Sequence, residues 1–166
     1  TLQMATTSGS LLIKGRRVMN LLLDTCVVID YLGRKEPFYA EAERVMAAGF
    51  FGDARLWIAG QTINDAFYVL SKYLGPRRGQ AALETLLQVV TPVALSPTDY
   101  TNALRLGWDD LEDCLVALCA QSARADYLVT RDTKGFSRSL VPVVSPSEWL
   151  ALMEQRHALC FEGVGV

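Results

Sequence analysis

The chain has 166 residues, 51% of them hydrophobic and 20% charged, with 16 basic and 18 acidic side chains and a formal charge of −2. That length and balance suit one soluble globular domain with a substantial core. They exclude a protein that holds nucleic acid by bulk positive charge, and no apolar run approaches the ~18 residues that a membrane-spanning helix requires.

Residues 1–18 read unlike a folded element. The first ten are small and polar, the apolar stretch 11–13 is short, and Lys14, Arg16 and Arg17 follow it, whereas a secretory signal carries its basic residues first. Met19 stands directly before the first strand signal, so the natural chain is expected to begin there, with 1–18 a vector-derived or disordered leader, and to act in the cytoplasm. Those 18 residues hold three basic side chains and no acidic ones, which leaves 13 basic against 18 acidic and a formal charge of −5. A nucleic-acid ligand would then require a metal or a local basic rim.

Residues 19–24 (M-N-L-L-L-D) form a short apolar run closed by an acid, the pattern of a strand buried on both faces. A short helix is expected over 25–32 and another from Pro37 to about residue 48, with Gly49 as its stop. Residues 56–59 read as a second strand. Thr62 is expected to cap a helix reaching Tyr73, ended by Gly75; Pro76 then opens a helix to about Val90. Residues 93–95, between Pro92 and Pro97, read as a third strand. Helices are expected over 96–106 and 111–123, strands over 127–130 and 141–144, and a closing helix over 146–155, with 156–166 as a tail. Alternating strands and helices imply an α/β fold, one domain over 19–155 with a central parallel sheet of about five strands flanked by helices on both sides.

Four cysteines (26, 114, 119 and 160) form no C-x-x-C pair, and His157 is the only histidine. Zinc sites with histidine ligands and histidine bases are therefore disfavoured, and chemistry falls to carboxylates. Ligands of open parallel sheets bind beyond the carboxyl ends of the strands. Asp24 ends the first strand and Asp132 lies two residues past the fourth, so both face one crevice although more than 100 residues separate them. Asp65 and Asp113 are expected in the first turns of helices entered from that rim, where acids also sit for dipole reasons alone. Close carboxylates repel unless a cation compensates, and hard oxygen donors suit Mg2+ or Mn2+, which activate water for phosphodiester hydrolysis.

These motifs resemble the PIN-domain family, and within it the VapC-type ribonuclease toxins of bacterial toxin–antitoxin pairs. L-L-L-D-T at 21–25 is similar to the first motif, with Asp24 as metal ligand and Thr25 as supporting hydroxyl. I-A-G-Q-T-I-N-D at 58–65 is similar to the second, where the family more often has Glu than Asp65. L-E-D-C-L-V-A-L-C-A at 111–120 resembles the third, with Asp113 at the matching position. Y-L-V-T-R-D-T-K-G-F at 127–136 matches the last, with Thr130 and Asp132 as site residues, Phe136 as the packed aromatic, and Gly135 where many relatives carry a further Asp. The resemblance covers residues 19–152. It implies a metal-dependent endoribonuclease with catalytic Asp24, Asp65, Asp113 and Asp132, an RNA substrate, an antitoxin partner and a homodimer.

Arg131 and Lys134 beside Asp132, and Lys72, Arg77 and Arg78 at a helix junction, are candidate phosphate contacts whose alternative is a solvated surface. Asp110 reads as an N-cap one turn before Asp113. Phe67, Tyr68, Leu70, Tyr73 and Leu74 read as core or a protein interface. The alternatives are a catalytically silent PIN-like binding or scaffold module, and a phosphatase or receiver domain, whose D-x-D-x-T pattern D-T-C-V-V does not meet.

Overall fold

The apolar triplet Leu21–Leu23 is wholly buried because it forms the middle strand of the sheet, with helices over both faces. The computed structural model describes residues 17–157, with side chains to residue 155. Among these the order is β1 (Met19–Leu23), α1 (Thr25–Leu32), α2 (Tyr39–Phe50), β2 (Ala54–Ala59), α3 (Gly60–Leu74), α4 (Pro76–Leu86), β3 (Val90–Val93), α5 (Pro97–Leu106), α6 (Leu111–Ser122), β4 (Tyr127–Val129), β5 (Val143–Val144) and α7 (Pro146–His157). The five strands are ordered β3-β2-β1-β4-β5, and every pairing is parallel.

Alternation along β1 divides the core. Leu21 and Leu23 face one layer with Val27 and Val28 of α1, Val45 of α2, Leu70 of α3, Leu83 of α4 and Trp149 of α7. Leu22 faces the other with Val116 and Ala120 of α6, Leu128 and Phe136. α5 packs on α6. Register then sets the site: Leu23 pairs with Ile58 on one side and Val129 on the other, so Asp24 emerges beside Thr130 at the carboxyl edge.

Several boundaries differ from those expected. α3 begins at Gly60, as soon as Ala59 leaves extended geometry, so Thr62 lies inside the helix, wholly buried, and caps nothing. Gly49 does not stop α2; a Cβ there would overlap the buried Leu56 side chain, so this glycine permits close helix–sheet packing. α4 ends at Leu86, and β3 starts at Val90 and includes Pro92, which an edge strand tolerates because one side of its ladder is unpaired. Ser96 caps α5 in a reciprocal pair with Asp99. Residues 1–16 of the expected leader, nearly all of the tail, Cys160 and the His157 side chain lie outside the described residues. Arg17, within the expected leader, is paired with Asp126 at 2.8 Å. Among the described residues, no helix is long and apolar enough to cross a membrane.

Candidate active site

Asp24 turns the chain from β1 into α1 as the N-cap, and its Oδ1 accepts the Thr25 amide at 2.7 Å. Its Oδ2 accepts from the Thr130 hydroxyl at 2.7 Å and from the Cys26 thiol at 3.2 Å. The Thr130 hydroxyl in turn accepts the Asp132 amide at 3.0 Å. One buried hydroxyl therefore joins the acid after β1 to the acid after β4. The Thr25 hydroxyl does not support Asp24; it pairs with Thr62 at 2.8 Å, fastening α1 to α3.

Asp113 comes from α6. Asp110 caps that helix, accepting the amides of Glu112 and Asp113 at 2.8 and 3.3 Å, and so leaves the first turn open to the sheet edge. Asp24, Thr25, Cys26, Glu112, Asp113, Arg131 and Asp132 line one open pocket of about 430 Å³. Oδ2 of Asp113 and Oδ2 of Asp132 stand 2.7 and 2.9 Å from the point a Gly135 Cβ would occupy, so the two oxygens flank one small space. Asp132 is held from behind by the Gly135 amide at 3.1 Å.

The electrostatics are those of crowded acids. Burial, then Asp110, Asp24, Asp132 and Glu112, push the Asp113 carboxyl up to about 6. Glu112 is raised by burial, then by Asp65, Asp110 and Asp24. Burial, then Asp24, pushes the Cys26 thiol up to about 12, so it stays protonated and acts as a donor.

Of the four expected acids, three reach the pocket and Asp65 does not. The early start of α3 places Asp65 in the second turn, half-buried, where it acts on Glu112 rather than lining the cavity. Arg131 turns its guanidinium to Asp30 of α1, and Lys134 is exposed. Lys72 lies over the Tyr68 ring at 3.9 Å, while Arg77 and Arg78 are exposed at the start of α4. Leu70 is core, whereas Tyr68 (62% exposed), Tyr73 (83%) and Leu74 (42%) are exposed on α3.

The donor set was tested against a divalent cation. Among the described residues, no three carboxylates, thiols or imidazoles stand close enough to enclose an ion as they are. Three carboxylates around one polar pocket nevertheless fit Mg2+ or Mn2+ chemically, because such ions retain several waters and take only one or two direct carboxylates. Asp113 is raised first by burial and then by the neighbouring acids, and a cation would relieve the second of these.

Two features escaped the sequence reading. Glu112 and Asp113 diverge by the ~100° of successive helical residues, yet both line the cavity. Cys26 lies two residues after Asp24, in the first turn of α1, and that proximity was the available signal.

The sequence model of the PIN domain matches residues 20–134. Among solved structures, VapBC-1 from nontypeable Haemophilus influenzae is similar at 23% identity and a TM-score of 0.59, over 78% of this chain and 99% of that one. A toxin–antitoxin complex from Klebsiella pneumoniae is similar at 26% identity and a TM-score of 0.57, over 76% and 97%. VapC20 from Mycobacterium tuberculosis, a sarcin-ricin loop cleaving toxin, shares the fold at 14% identity and a TM-score of 0.55, over 65% and 86%. No curated protein sequence matched the chain.

Proposed function

The chain belongs to the PIN domain family, and from that premise we propose that it is a Mg2+- or Mn2+-dependent endoribonuclease, the toxin of a toxin–antitoxin pair. PIN domains are generally nucleases, and the observation that carries the finer reading is the convergence of Asp24, Asp113 and Asp132 on one pocket.

In this reading Asp24, Asp113 and Asp132 hold the cation, which when bound lowers the pKa of a coordinated water and stabilises charge on phosphate oxygens. Thr130 keeps Asp24 and Asp132 in fixed relation through its hydroxyl. Cys26 donates to the same Asp24 oxygen and orients its lone pairs. Thr25 anchors α1 to α3, so the Asp24 cap does not drift. Glu112 stands on the pocket wall, and Asp65 acts on the site through Glu112. Lys134, exposed two residues after Asp132, is the basic side chain that would meet an RNA phosphate. An antitoxin partner is supported by the complexes among the similar structures, and a homodimer by the exposed Tyr68, Tyr73 and Leu74.

The test is cleavage of RNA by purified protein with Mg2+ or Mn2+, wild type against Asp24→Asn. Cleavage by the wild type alone is expected, and equal cleavage by both would refute the site. The second reading, a catalytically silent PIN module, is favoured by the lack, among the described residues, of three groups close enough to enclose an ion. Calorimetric titration with Mn2+ separates the two, since the silent module takes up none.

A further inference from the structure

We propose that the Asp30–Arg131 ion pair is a clamp that positions the acids of the pocket, and that Arg131 is a positioning residue rather than a contact for RNA. The inference rests on the reading of the pocket given above.

Asp30 lies in the last turn of α1, the helix whose other end is capped by Asp24. It is 1% exposed, and the only ion partner it has among the described residues is Arg131. The guanidinium donates through Nε at 2.5 Å and through Nη2 at 3.3 Å, a fork grip that fixes orientation as well as distance. It also stacks over Phe38 at 4.0 Å, at the entry to α2. Its charge is thereby matched by a buried acid and one face of its plane is covered by Phe38, so although the side chain is 31% exposed at the pocket wall its donors are turned toward Asp30.

What the fork holds is the chain between two site residues. Thr130, just before Arg131, donates to Asp24, and Asp132, just after it, gives its amide to Thr130. α1 is thus tied to the segment after β4 at both of its ends, by Asp24–Thr130 and by Asp30–Arg131. A single tie would act as a pivot about which Asp132 swings. Two ties along one rigid helix remove that rotation.

The experiment compares wild type with Arg131→Lys and Asp30→Asn. It measures urea unfolding, Mn2+ affinity by calorimetry, kcat and KM on a labelled RNA, and amide hydrogen exchange over residues 131–135. Both variants are expected to weaken Mn2+ binding and lower kcat about tenfold, to leave KM within twofold, and to speed exchange over 131–135 about tenfold. If Arg131→Lys raises KM while kcat, Mn2+ affinity and exchange stay at wild-type values, Arg131 contacts RNA and the clamp is wrong. If both variants lose only unfolding stability, the pair is merely structural and the proposal is equally overturned. Should Asp30→Asn not fold, Arg131→Lys, which keeps the charge and loses the fork, carries the test alone. A wild-type protein that neither binds Mn2+ nor cuts RNA defeats the ribonuclease reading, while the exchange rates still decide the clamp.

Discussion

Gly135→Ala separates the chemistry of the pocket from the stability of the fold. The added methyl would stand 2.7 Å from Asp113 Oδ2 and 2.9 Å from Asp132 Oδ2, against an ordinary contact distance of ~3.5 Å. Each carboxylate must therefore retreat by roughly 0.6–0.8 Å, more than the ~0.5 Å tolerance of a working catalytic geometry. Since a misplacement of ~1 Å is worth about 10²-fold in rate, cleavage is expected to fall roughly 10- to 100-fold. Stability should barely change. Both crowded atoms are the free ends of side chains, Gly135 does not occupy the left-handed region, and alanine restricts the unfolded chain by ~0.4–1 kcal/mol in the protein's favour. The assay pairs metal-dependent cleavage of a labelled RNA with urea unfolding of the same preparation. Wild-type cleavage by the variant would show that the space between Asp113 and Asp132 is not where the reaction occurs. A stability loss above ~2 kcal/mol would show that the methyl meets something stiffer than two carboxylates.

Thr130→Val removes a buried hydroxyl that donates to Asp24 and accepts from the Asp132 amide; urea unfolding should show a loss of roughly 2–4 kcal/mol. The Asp113 carboxyl, raised to about 6 from an unfolded value near ~3.9, binds its proton more tightly when folded. Its contribution to stability is therefore greatest at low pH, declines as pH rises from ~4 to 6, and is level above that; melting curves across this range should show the decline in wild type and lose it in Asp113→Asn. By the same linkage, Mn2+ should raise the melting temperature less below pH 6, where the ion competes with that proton. Gly49→Ala places a methyl inside Leu56, and thermal or urea unfolding should report a loss of roughly 1–3 kcal/mol with the metal response preserved.

The sheet and the edge that carries the site were legible because they rest on strong local signals. An apolar run closed by Asp24, and another closed by Thr130 and followed by Asp132, read as parallel strands ending at one rim, and the register places them side by side. The parts that were not legible depend on where a helix begins. Thr62 has the chemistry of a cap, but the helix starts directly off β2 with Ala59 as its cap, and that shift of three residues carried Asp65 away from the cavity. Glu112 was hidden for a different reason: angular spacing along a helix does not tell how wide a cavity lies beside its first turn, and this one meets both Glu112 and Asp113. Asp30 gave no signal at all, because its partner lies 101 residues away, and long-range charge pairing has no periodicity to read.

The bond between Thr130 and Asp24 spans 106 positions of the chain, and this separation has a consequence for synthesis. A growing polypeptide carries Asp24 from early on, but the pocket cannot exist until β4 has been made and has inserted beside β1. Every shorter product of translation lacks Asp132 and the hydroxyl that aligns Asp24. A ribosome making this protein is thus exposed to no assembled acidic pocket until Asp132 has been polymerised.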